Sequence, residues 1–490
     1  MSFETPLGLP SLPLGWSWER LEHLCERVSV GHVGETSSHF TDENGIPFLR
    51  SQNVRPGRIE FGDVKYITKA FHDKSTKSQL KPGDIAIVRV GQNRGDCAVI
   101  PEGGGEVNCA NIVFARLNDN RYSQFVGAFF NTELGRSALM SVSTGSAQGV
   151  LNTKSIAKVL VPVPPADVAF MIGNMRKVMD SKITLNTQTN QTLEQMAQAL
   201  FKSWFVDFDP VIDNALAANG GDLNAIPEPL RARASARQAL FATSTTDNNS
   251  TESRAATASP ATHSLATKNS APSAAPASLP ALSPALSSEL CALFPASFEQ
   301  HDELGWIPEG WAASRLDSVL ELAYGKALKK TDRIEGQVPV YGSGGVGGFH
   351  NQRLVEGPGV IVGRKGTVGS LFWEDRDFFP IDTVFYVKPF EGIPLGYCFE
   401  LLKTFGLEHM NTDAAVPGLN RNNAYRLLFP KPSGDVMDAF ARTINVIKAL
   451  QNAKSDESSS LMQLRDTLLP KLLSGELTLS EAAAGTETQP

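Results

Sequence analysis

The stretch Val159-Leu-Val-Pro-Val-Pro164 is followed by a long helical pattern, and it returns as Leu427-Leu-Phe-Pro-Lys-Pro432 with a second helical pattern behind it. The two copies align without a gap along both helical segments, residues 167–206 and 435–473. An internal repeat of this length sets the architecture of a chain before any single element is considered. The repeat therefore predicts two similar globular domains, each ending in a long helix.

Matched positions of the two helical segments recur every seven residues. In a heptad pattern an apolar stripe packs against a partner helix, and a polar residue within the stripe fixes the register at some cost in stability. That polar position falls mid-helix in both copies, at Asn186 and Lys454. We expect the two helices, each roughly 60 Å long at ~1.5 Å per residue, to pack antiparallel about a pseudo-two-fold axis. The apolar pairs are Ile172 with Phe440, Met179 with Ile447, Leu193 with Leu461, Leu200 with Leu468 and Trp204 with Leu472.

Each helical segment follows a region of mixed composition, which we call the first head (residues 12–165) and the second head (residues 305–433). Short apolar runs bounded by Gly, Pro and Asn predict strands, and residues 125–140 and 395–404 are predicted helices. The fold class is α+β, with two mixed α/β heads joined by two long, antiparallel, coiled-coil-like helices in a pseudo-two-fold internal repeat. The predicted strands are residues 46–50, 84–90, 107–116, 338–341, 359–363 and 383–387.

Composition separates the heads from the rest of the chain. Residues 242–288 are almost entirely Ala, Ser, Thr and Pro, a composition that cannot bury a core and predicts a disordered tether. The predicted organisation is the first head at 12–165, a helix at 166–207, a linker with the tether at 208–304, the second head at 305–433, a helix at 434–478 and a tail at 479–490.

The net charge of −7 is unevenly distributed. The first head carries 17 Lys and Arg against 15 Asp and Glu, and the second head carries 14 against 14. Neutral heads gain little affinity from phosphate attraction, so a partner that supplies positive charge is expected. Five scattered cysteines predict reduced thiols. The absence of a long apolar run and of a secretory signal predicts a cytoplasmic protein without a membrane segment.

Motifs for catalysis are missing from the sequence. The stretch Gly342-Ser-Gly-Gly-Val-Gly347 matches GxGxxG, but a dinucleotide site needs a helix directly after it, and we interpret the stretch as a mobile loop. The chain has no GxxxxGK[ST] motif and no HxxxH pair. We therefore expect no catalytic residue, no cofactor site and no metal site in this chain.

Residues that can read DNA bases cluster at strand ends. Arginine can hold guanine through two hydrogen bonds, and asparagine or glutamine can hold adenine in the same way. Gly beside these side chains favours tight loops from which they project. The candidate DNA-binding residues are Arg50, Gln52, Asn53, Arg89, Gln92, Asn93 and Arg94 in the first head and Lys326, Lys329, Lys330, Ser343, Asn351, Arg364 and Lys365 in the second.

Several stretches resemble the specificity subunits of type I restriction-modification systems. Residues 195–211 look like the central conserved region of that family, and residues 466–477 look like its C-terminal helix end. Residues 293–298 and 307–311 look like the entry to a second target-recognition domain. The chain departs from the family at Ala166-Asp167-Val168, where an acidic-Gln start is usual, and in the length of its tether.

The resemblance implies a non-catalytic DNA-recognition subunit that binds a bipartite, asymmetric sequence in double-stranded DNA. The heads would be target-recognition domains, and the helices would set their spacing and dock two methyltransferase subunits, with motor-nuclease subunits joining for cleavage. S-adenosylmethionine, ATP and Mg²⁺ would belong to those partners. Two alternatives stay open on the residues alone: a DNA-reading enzyme with its own methyltransferase or nuclease site, and an extracellular scaffold with repeated ligand heads, against which the missing export signal argues.

Overall fold

The computed structural model describes residues 11–142, 149–240, 288–410 and 418–479. These residues form two compact units. Unit 1 holds the first head together with residues 166–188 and 454–479, and unit 2 holds residues 189–240 and the second head with its following helix to residue 453. No helix in the described ranges is both long enough and apolar enough to cross a membrane.

The first head contains thirteen strands in its described residues, and the most buried of them carry continuous apolar runs. β9 (Ile85–Val88) and β12 (Ile112–Leu117) are buried along their whole length, which suits a sheet covered on both faces. The strands are β1 Ser17–Arg20, β2 Cys25–Val30, β3 Phe40–Thr41, β4 Ile46–Leu49, β5 Val54–Arg55, β6 Arg58–Ile59, β7 Lys65–Ile67, β8 Gln79–Leu80, β9 Ile85–Val88, β10 Cys97–Val99, β11 Val107–Cys109, β12 Ile112–Leu117 and β13 Leu160–Val163.

Two predicted elements of the first head are each divided in the structure. The strand predicted at residues 107–116 is two strands, β11 and β12, because Asn111 adopts a left-handed backbone with φ of 54°. The helix predicted at 125–140 is also two, because the Thr132 side chain caps a new helix by accepting a hydrogen bond from Gly135 N at 3.1 Å. The helices of this head are Leu21–Leu24, Lys69–Lys74, Ser123–Phe130, Glu133–Ser141 and Thr153–Ala157.

Unit 2 contains eleven strands in its described residues and a helix at Leu395–Thr404, where the sequence predicts one. Its other helices are Asp209–Ala218, Ser288–Cys291 and Arg421–Tyr425, and residues 231–240 are also helical. The strands are β14 Phe298–His301, β15 Gly305–Pro308, β16 Ala312–Arg315, β17 Leu320–Tyr324, β18 Val338–Gly342, β19 Gly345–His350, β20 Gly359–Gly363, β21 Leu371–Glu374, β22 Phe379–Pro380, β23 Val384–Pro389 and β24 Leu428–Lys431.

The two heads share the order of their four-stranded sheet, a closing two-stranded sheet and a parallel pair, while the sheet that holds the parallel pair has five strands in the first head and three in the second. The four-stranded sheet has the order β10-β9-β12-β2 in the first head and β21-β20-β23-β17 in the second. A two-stranded sheet closes each head, β1 with β13 and β16 with β24. A parallel pair is present in both, β4 with β11 and β18 with β22. Strands in equivalent chain positions therefore occupy equivalent sheet positions.

The first long helix spans Ala166–Phe205 and the second long helix spans Gly434–Ser474. In unit 1 the buried Asn186, 1% exposed, donates from Nδ2 to Ser458 Oγ at 3.2 Å, and Arg465 Nη1 donates to Asp180 Oδ1 at 2.7 Å. The partner number falls as the residue number in the first long helix rises, so the helices run antiparallel. Together with the mixed heads, this pairing confirms the predicted fold class.

Polar pairing continues between the helix segments of unit 2. Asn190 Nδ2 donates to Gln451 O at 3.1 Å, and Gln451 Nε2 donates back to Asn190 O at 3.1 Å. Lys448 Nζ lies 3.2 Å from Glu194 Oε2. Burial alone would raise the pKa of Glu194, but hydrogen bonding and charge from Lys403, together with Lys448, lower that pKa to about 2. Polar contacts of this kind favour one register of the helix pair over registers that are shifted along the helices.

Each head buries the far end of one long helix in its core. In unit 2 the rings of Phe201, Trp204 and Phe205 pack among those of the second head and Phe440, with Phe201 and Phe440 centroids 5.5 Å apart. In unit 1 the matching positions Leu469, Leu472 and Leu473 lie in the core of the first head. A head is thus closed by the start of its own following helix and by the end of the other long helix.

Residues flanking the tether pack in unit 2, although the sequence indicates only a linker there. Ile212, Leu216 and Ile226 form a small apolar cluster with Ala234. Buried Asp209 accepts two hydrogen bonds from Arg233. Sequence pattern misses this cluster because its apolar residues are few and widely spaced. Most of the tether, residues 242–287, lies outside the described residues, and the domain boundaries stay a prediction.

We predict that Trp204→Ala lowers the free energy of unfolding by about 3–5 kcal/mol, because it removes a fully buried ring from the core of unit 2. Val446→Ala, at an exposed position in the same unit, should change it by less than about 0.5 kcal/mol. Urea unfolding followed by circular dichroism measures both. Equal midpoints for the two variants would show that the helix end does not stabilise the head.

Candidate nucleic-acid interface

The loop at residues 89–96 joins β9 to β10 in the first head. Arg94 N donates to Gly91 O at 3.2 Å, and Gly95 N donates to Val88 O at 2.9 Å. Gly91 and Gly95 have φ of 88° and 89°, a backbone region that glycine adopts without a steric penalty. This tight turn leaves Gln92 and Asn93 exposed at its tip, so both side chains are available to a ligand.

The loop after β20 is its equivalent in the second head, because β20 and β21 occupy the sheet positions of β9 and β10. Arg364 N and Lys365 N both donate to Thr383 O, at 2.9 and 3.0 Å. Gly366 has φ of 83° and allows the chain to turn here. Lys365 is exposed, and Arg364 is half-buried.

Both loops are held by the same kind of backbone contact. Leu151 N donates to Arg89 O at 3.1 Å, and Leu419 N donates to Arg364 O at 2.9 Å. The offset that pairs Val159 with Leu427 in the sequence repeat also pairs these two leucines. Each precedes an asparagine, Asn152 or Asn420, whose side chain caps a short helix. A strand end, an arginine and a capped helix therefore meet at the same topological place in each head.

The arginines of these loops differ in their surroundings. Arg94 Nη1 donates to Gly149 O, and the buried Nε of Arg89 has no hydrogen-bond partner. Arg364 Nη1 donates to Asp382 O at 3.2 Å. Its guanidinium carbon lies 4.9 Å from the ring centroid of Tyr324. Backbone oxygens and rings, rather than carboxylates, orient these side chains, so their positive charges are largely retained.

In the segment Arg50–Asn53, the side chain of Asn53 shapes the loop. Asn53 is 1% exposed, its Oδ1 accepts from Arg50 N at 2.9 Å, and its Nδ2 donates to Glu60 O at 3.1 Å. Both ends of its amide are thus used to shape the loop. Arg50 Nη2 donates to Asp63 O at 2.9 Å, and Gln52 bonds to the Asp63 carboxylate. Of the three candidates here, Gln52 is the most exposed.

The remaining candidates lie on the second head. Lys326, Lys329 and Lys330 are exposed in the connection after β17, and Asn351 is exposed just after β19. Ser343 bridges to the loop after β20, since its Oγ accepts from Thr367 N at 3.4 Å and its carbonyl from Ser370 Oγ at 2.6 Å. The structure thus links Ser343 with the Arg364 loop.

The interpretation of residues 342–347 as a mobile loop is wrong. They form the tight turn of a β-hairpin, in which Gly342 pairs with Gly345 across β18 and β19. Gly345 has φ of 97°, which explains the glycine at this turn. No helix follows the turn, so the geometry of a dinucleotide-binding loop is missing.

Sequence reasoning missed two residues beside Arg364. Tyr324, the last residue of β17, is 50% exposed. The guanidinium carbon of Arg421 lies 5.0 Å from the Tyr324 centroid. An arginine at a helix start carries no special pattern, and only the folded sheet brings it to Tyr324. The signal that could have found it is its place directly after the repeated Leu-Asn pair.

One cluster has the residue types of a metal site, His72 with Asp73 and Glu106. The ammonium of Lys69 lies 2.7 Å from Glu106 and 2.9 Å from Asp73. Lys69 pairs with both carboxylates, and the hydrogen bonds to them raise the pKa of Lys69. The acidic residues of this cluster are therefore engaged in an ion-pair network.

Comparison with known proteins finds a family match in the second head. The family of type I restriction modification DNA specificity domains matches residues 308–412, which cover most of the second head. The chain is 25% identical over 355 residues to the HindI specificity subunit of Haemophilus influenzae, a match that covers 66% of this chain and 70% of that protein. It is 29% identical over 222 residues to the MjaIX specificity subunit of Methanocaldococcus jannaschii, covering 42% and 47%.

A solved structure shows the same fold. The S subunit of a type I restriction-modification system from M. genitalium superposes with a TM-score of 0.55 at 15% identity, covering 96% of this chain and 98% of that one. The predicted resemblance is therefore confirmed: the chain is similar in sequence to type I restriction-modification specificity subunits and has the fold of one of them.

Proposed function

We propose that this chain is the DNA-recognition subunit of a type I restriction-modification complex. The observation that carries the proposal is the pair of equivalent loops, one in each head, that present arginine beside exposed polar residues at the same topological place. A family match over the second head and specificity subunits among the relatives support it.

The target is a bipartite sequence with unlike halves. The two heads have the same strand order, but the side chains on their loops differ. Gln92 and Asn93 are exposed in the first head, and amide side chains of this kind can pair with adenine. The equivalent loop of the second head carries the half-buried Arg364 and the exposed Lys365. Two similar folds with different contact surfaces suit an asymmetric target.

The helix pair is the docking surface for two methyltransferase subunits. Met171, Val178 and Leu185 recur every seven residues on the first long helix and are 50%, 58% and 55% exposed. Val446 and Leu450 are exposed on the second long helix. An apolar stripe of this spacing suits a partner helix, and a positively charged partner would add the phosphate affinity that near-neutral heads lack.

Catalysis belongs to the partner subunits in this proposal. The methyltransferase subunits carry S-adenosylmethionine, the motor-nuclease subunits carry ATP and Mg²⁺, and this chain binds double-stranded DNA without a cofactor of its own. Electrophoretic mobility shift of duplex DNA, with the chain alone and with its methyltransferase subunits, tests the assignment. Binding of S-adenosylmethionine by the isolated chain would favour an enzyme with its own site.

Exchanging residues 12–160 for the equivalent head of a relative should change one half of the methylated sequence and leave the other intact. The first head contacts the rest of unit 1 through apolar positions at the start of the first long helix, such as Ala169 and Ile172, and at the end of the second, Leu469, Leu472 and Leu473. A relative with apolar residues that face these positions should fit. Sequencing of methylated sites measures the outcome, and the reciprocal exchange of the second head is the control. A change in both halves would rule out modular reading.

Arg94→Ala should weaken binding to the cognate duplex by about 1–3 kcal/mol if Arg94 reads a base. Arg94→Lys keeps the charge but loses the planar fork, so it should lose discrimination between duplexes while keeping the salt dependence. Arg121→Ala is the matched control, because Arg121 is an exposed arginine of the same unit that is paired with Asp119. Titration on cognate and scrambled duplexes at two salt concentrations separates these cases. Arg94→Ala binding as tightly as Arg121→Ala would remove the loop from the interface.

A further inference from the structure

We propose that Arg364, Arg421 and Tyr324 form a phosphodiester-binding site on the second head, in which Tyr324 positions two arginines for one stretch of DNA backbone. The inference rests on the proposed DNA-reading function and adds two residues and a ligand chemistry to it. Three separate elements supply the site: the end of β17, the loop after β20 and the start of the helix Arg421–Tyr425.

Sheet register brings these elements together. β17 and β20 flank β23 on opposite sides, and Tyr324 and Val362 both pair with Phe385. The Tyr324 ring meets the Phe385 ring edge to face, with centroids 5.0 Å apart. Tyr324 is therefore fixed at the sheet surface, between the two segments that carry the arginines.

Both guanidinium groups lie against this one ring, at 4.9 Å for Arg364 and 5.0 Å for Arg421. Each is also tied to the sheet, since Arg364 Nη1 donates to Asp382 O at 3.2 Å and Arg421 Nη1 to Leu322 O at 3.4 Å. Ring and carbonyl contacts hold the groups in place and leave their charge intact.

The two charges are not neutralised within the part of the chain that the structure describes. No carboxylate of those residues lies within 4.0 Å of Arg364 or Arg421, whereas Arg353 on the same head pairs with Asp377 at 2.7 Å. The Arg421 Nε is buried and has no hydrogen-bond partner. Two like charges beside one ring repel each other, and an anion between them removes that cost.

The geometry favours a phosphate over a base edge. Reading guanine requires an arginine to extend and present two free donors in its plane. Here Nη1 of each arginine donates to a backbone carbonyl, and the Nε of Arg421 is buried. A phosphodiester oxygen accepts hydrogen bonds from many directions, so the donors that remain are sufficient.

The first head lacks the second arginine. Its short helix starts with Thr153 where the second head has Arg421, although Arg89 stands in the loop equivalent to that of Arg364. The paired arrangement is thus a property of the second head. We expect a larger share of the salt-dependent affinity to come from this head.

The test measures how DNA affinity depends on salt for the chain assembled with its methyltransferase subunits. Fluorescently labelled duplexes of two unrelated sequences are titrated between 50 and 300 mM salt, roughly the range in which phosphate contacts change affinity steeply. Arg364→Ala and Arg421→Gln should each lower the slope of log Kd against log salt by about 0.9, equally on both duplexes. The double variant should lower it by about twice as much.

Matched variants separate the site from a general effect of charge. Arg353→Ala removes one arginine of the same head that is already paired with Asp377, and it should leave the slope unchanged. Tyr324→Leu should lower the slope because the arginines lose their support, whereas Tyr324→Phe keeps the ring and should behave as wild type. Arg421→Lys keeps the charge and should retain most of the slope.

An Arg421→Gln slope equal to that of Arg353→Ala would overturn the site while leaving the proposed function intact. If the Arg421→Gln slope equals that of Arg353→Ala and the variant also fails to co-purify with the methyltransferase, Arg421 binds a carboxylate of that subunit instead of DNA. This result also overturns the site. A wild-type complex that binds neither duplex, nor any other, would overturn the proposed function and the site with it.

Discussion

The structure depends on the burial of each long helix's C-terminal end in the core of a head. Trp204 and its neighbours pack among residues of the second head, and Leu472 and its neighbours pack in the first. Each buried aromatic or leucine side chain contributes on the order of 2–5 kcal/mol that is lost when it is truncated. A head therefore cannot complete its core with its own strands alone.

This arrangement constrains how the chain folds. The core of the first head includes Leu469, Leu472 and Leu473, which are separated from its strands by the whole second head. Such long-range contacts carry a large loop-closure cost and form late. Unit 1 can reach its final state only after the C-terminal helix, which follows the whole second head in the chain, has been synthesised.

The elements that follow from local pattern were predictable, and those that depend on distant neighbours were not. The helix at Leu395–Thr404 and the two long helices are periodic in sequence, and β20 is a buried apolar run, so these elements lie where the pattern predicts. The break at Asn111 depends on one left-handed residue, and the burial of Asn53 depends on Glu60 and the fold of its loop. Neither leaves a periodic signal.

The candidate interface also contains residues that local sequence pattern predicts and residues that it does not. Gly next to Arg at a strand end was enough to select the loops at Arg94 and Arg364, and the structure places both loops in equivalent hairpins. Their contact with DNA stays a prediction. Arg421 escaped selection because its environment is made by Leu322 and Tyr324, which are about a hundred positions away in the chain. Residues that act through tertiary neighbours are found only once the sheet register is known.

The two heads share a scaffold but differ in their loop surfaces. Different residues therefore determine stability and recognition. Positions matched by the repeat, such as Leu151 with Leu419 and Trp204 with Leu472, are buried in both units, so substitution there changes stability. Residues at the tips of the equivalent loops, such as Gln92 and Lys365, are exposed, and substitutions away from buried contacts change stability little. Because the buried repeat positions and the exposed loop positions barely overlap, one head's loops can change without disturbing the helix pair or the other head. In the second head, Arg364 and Arg421 are held by ring and carbonyl contacts rather than by carboxylates of the described residues, so substitution there should change the affinity for an anionic ligand more than it changes stability.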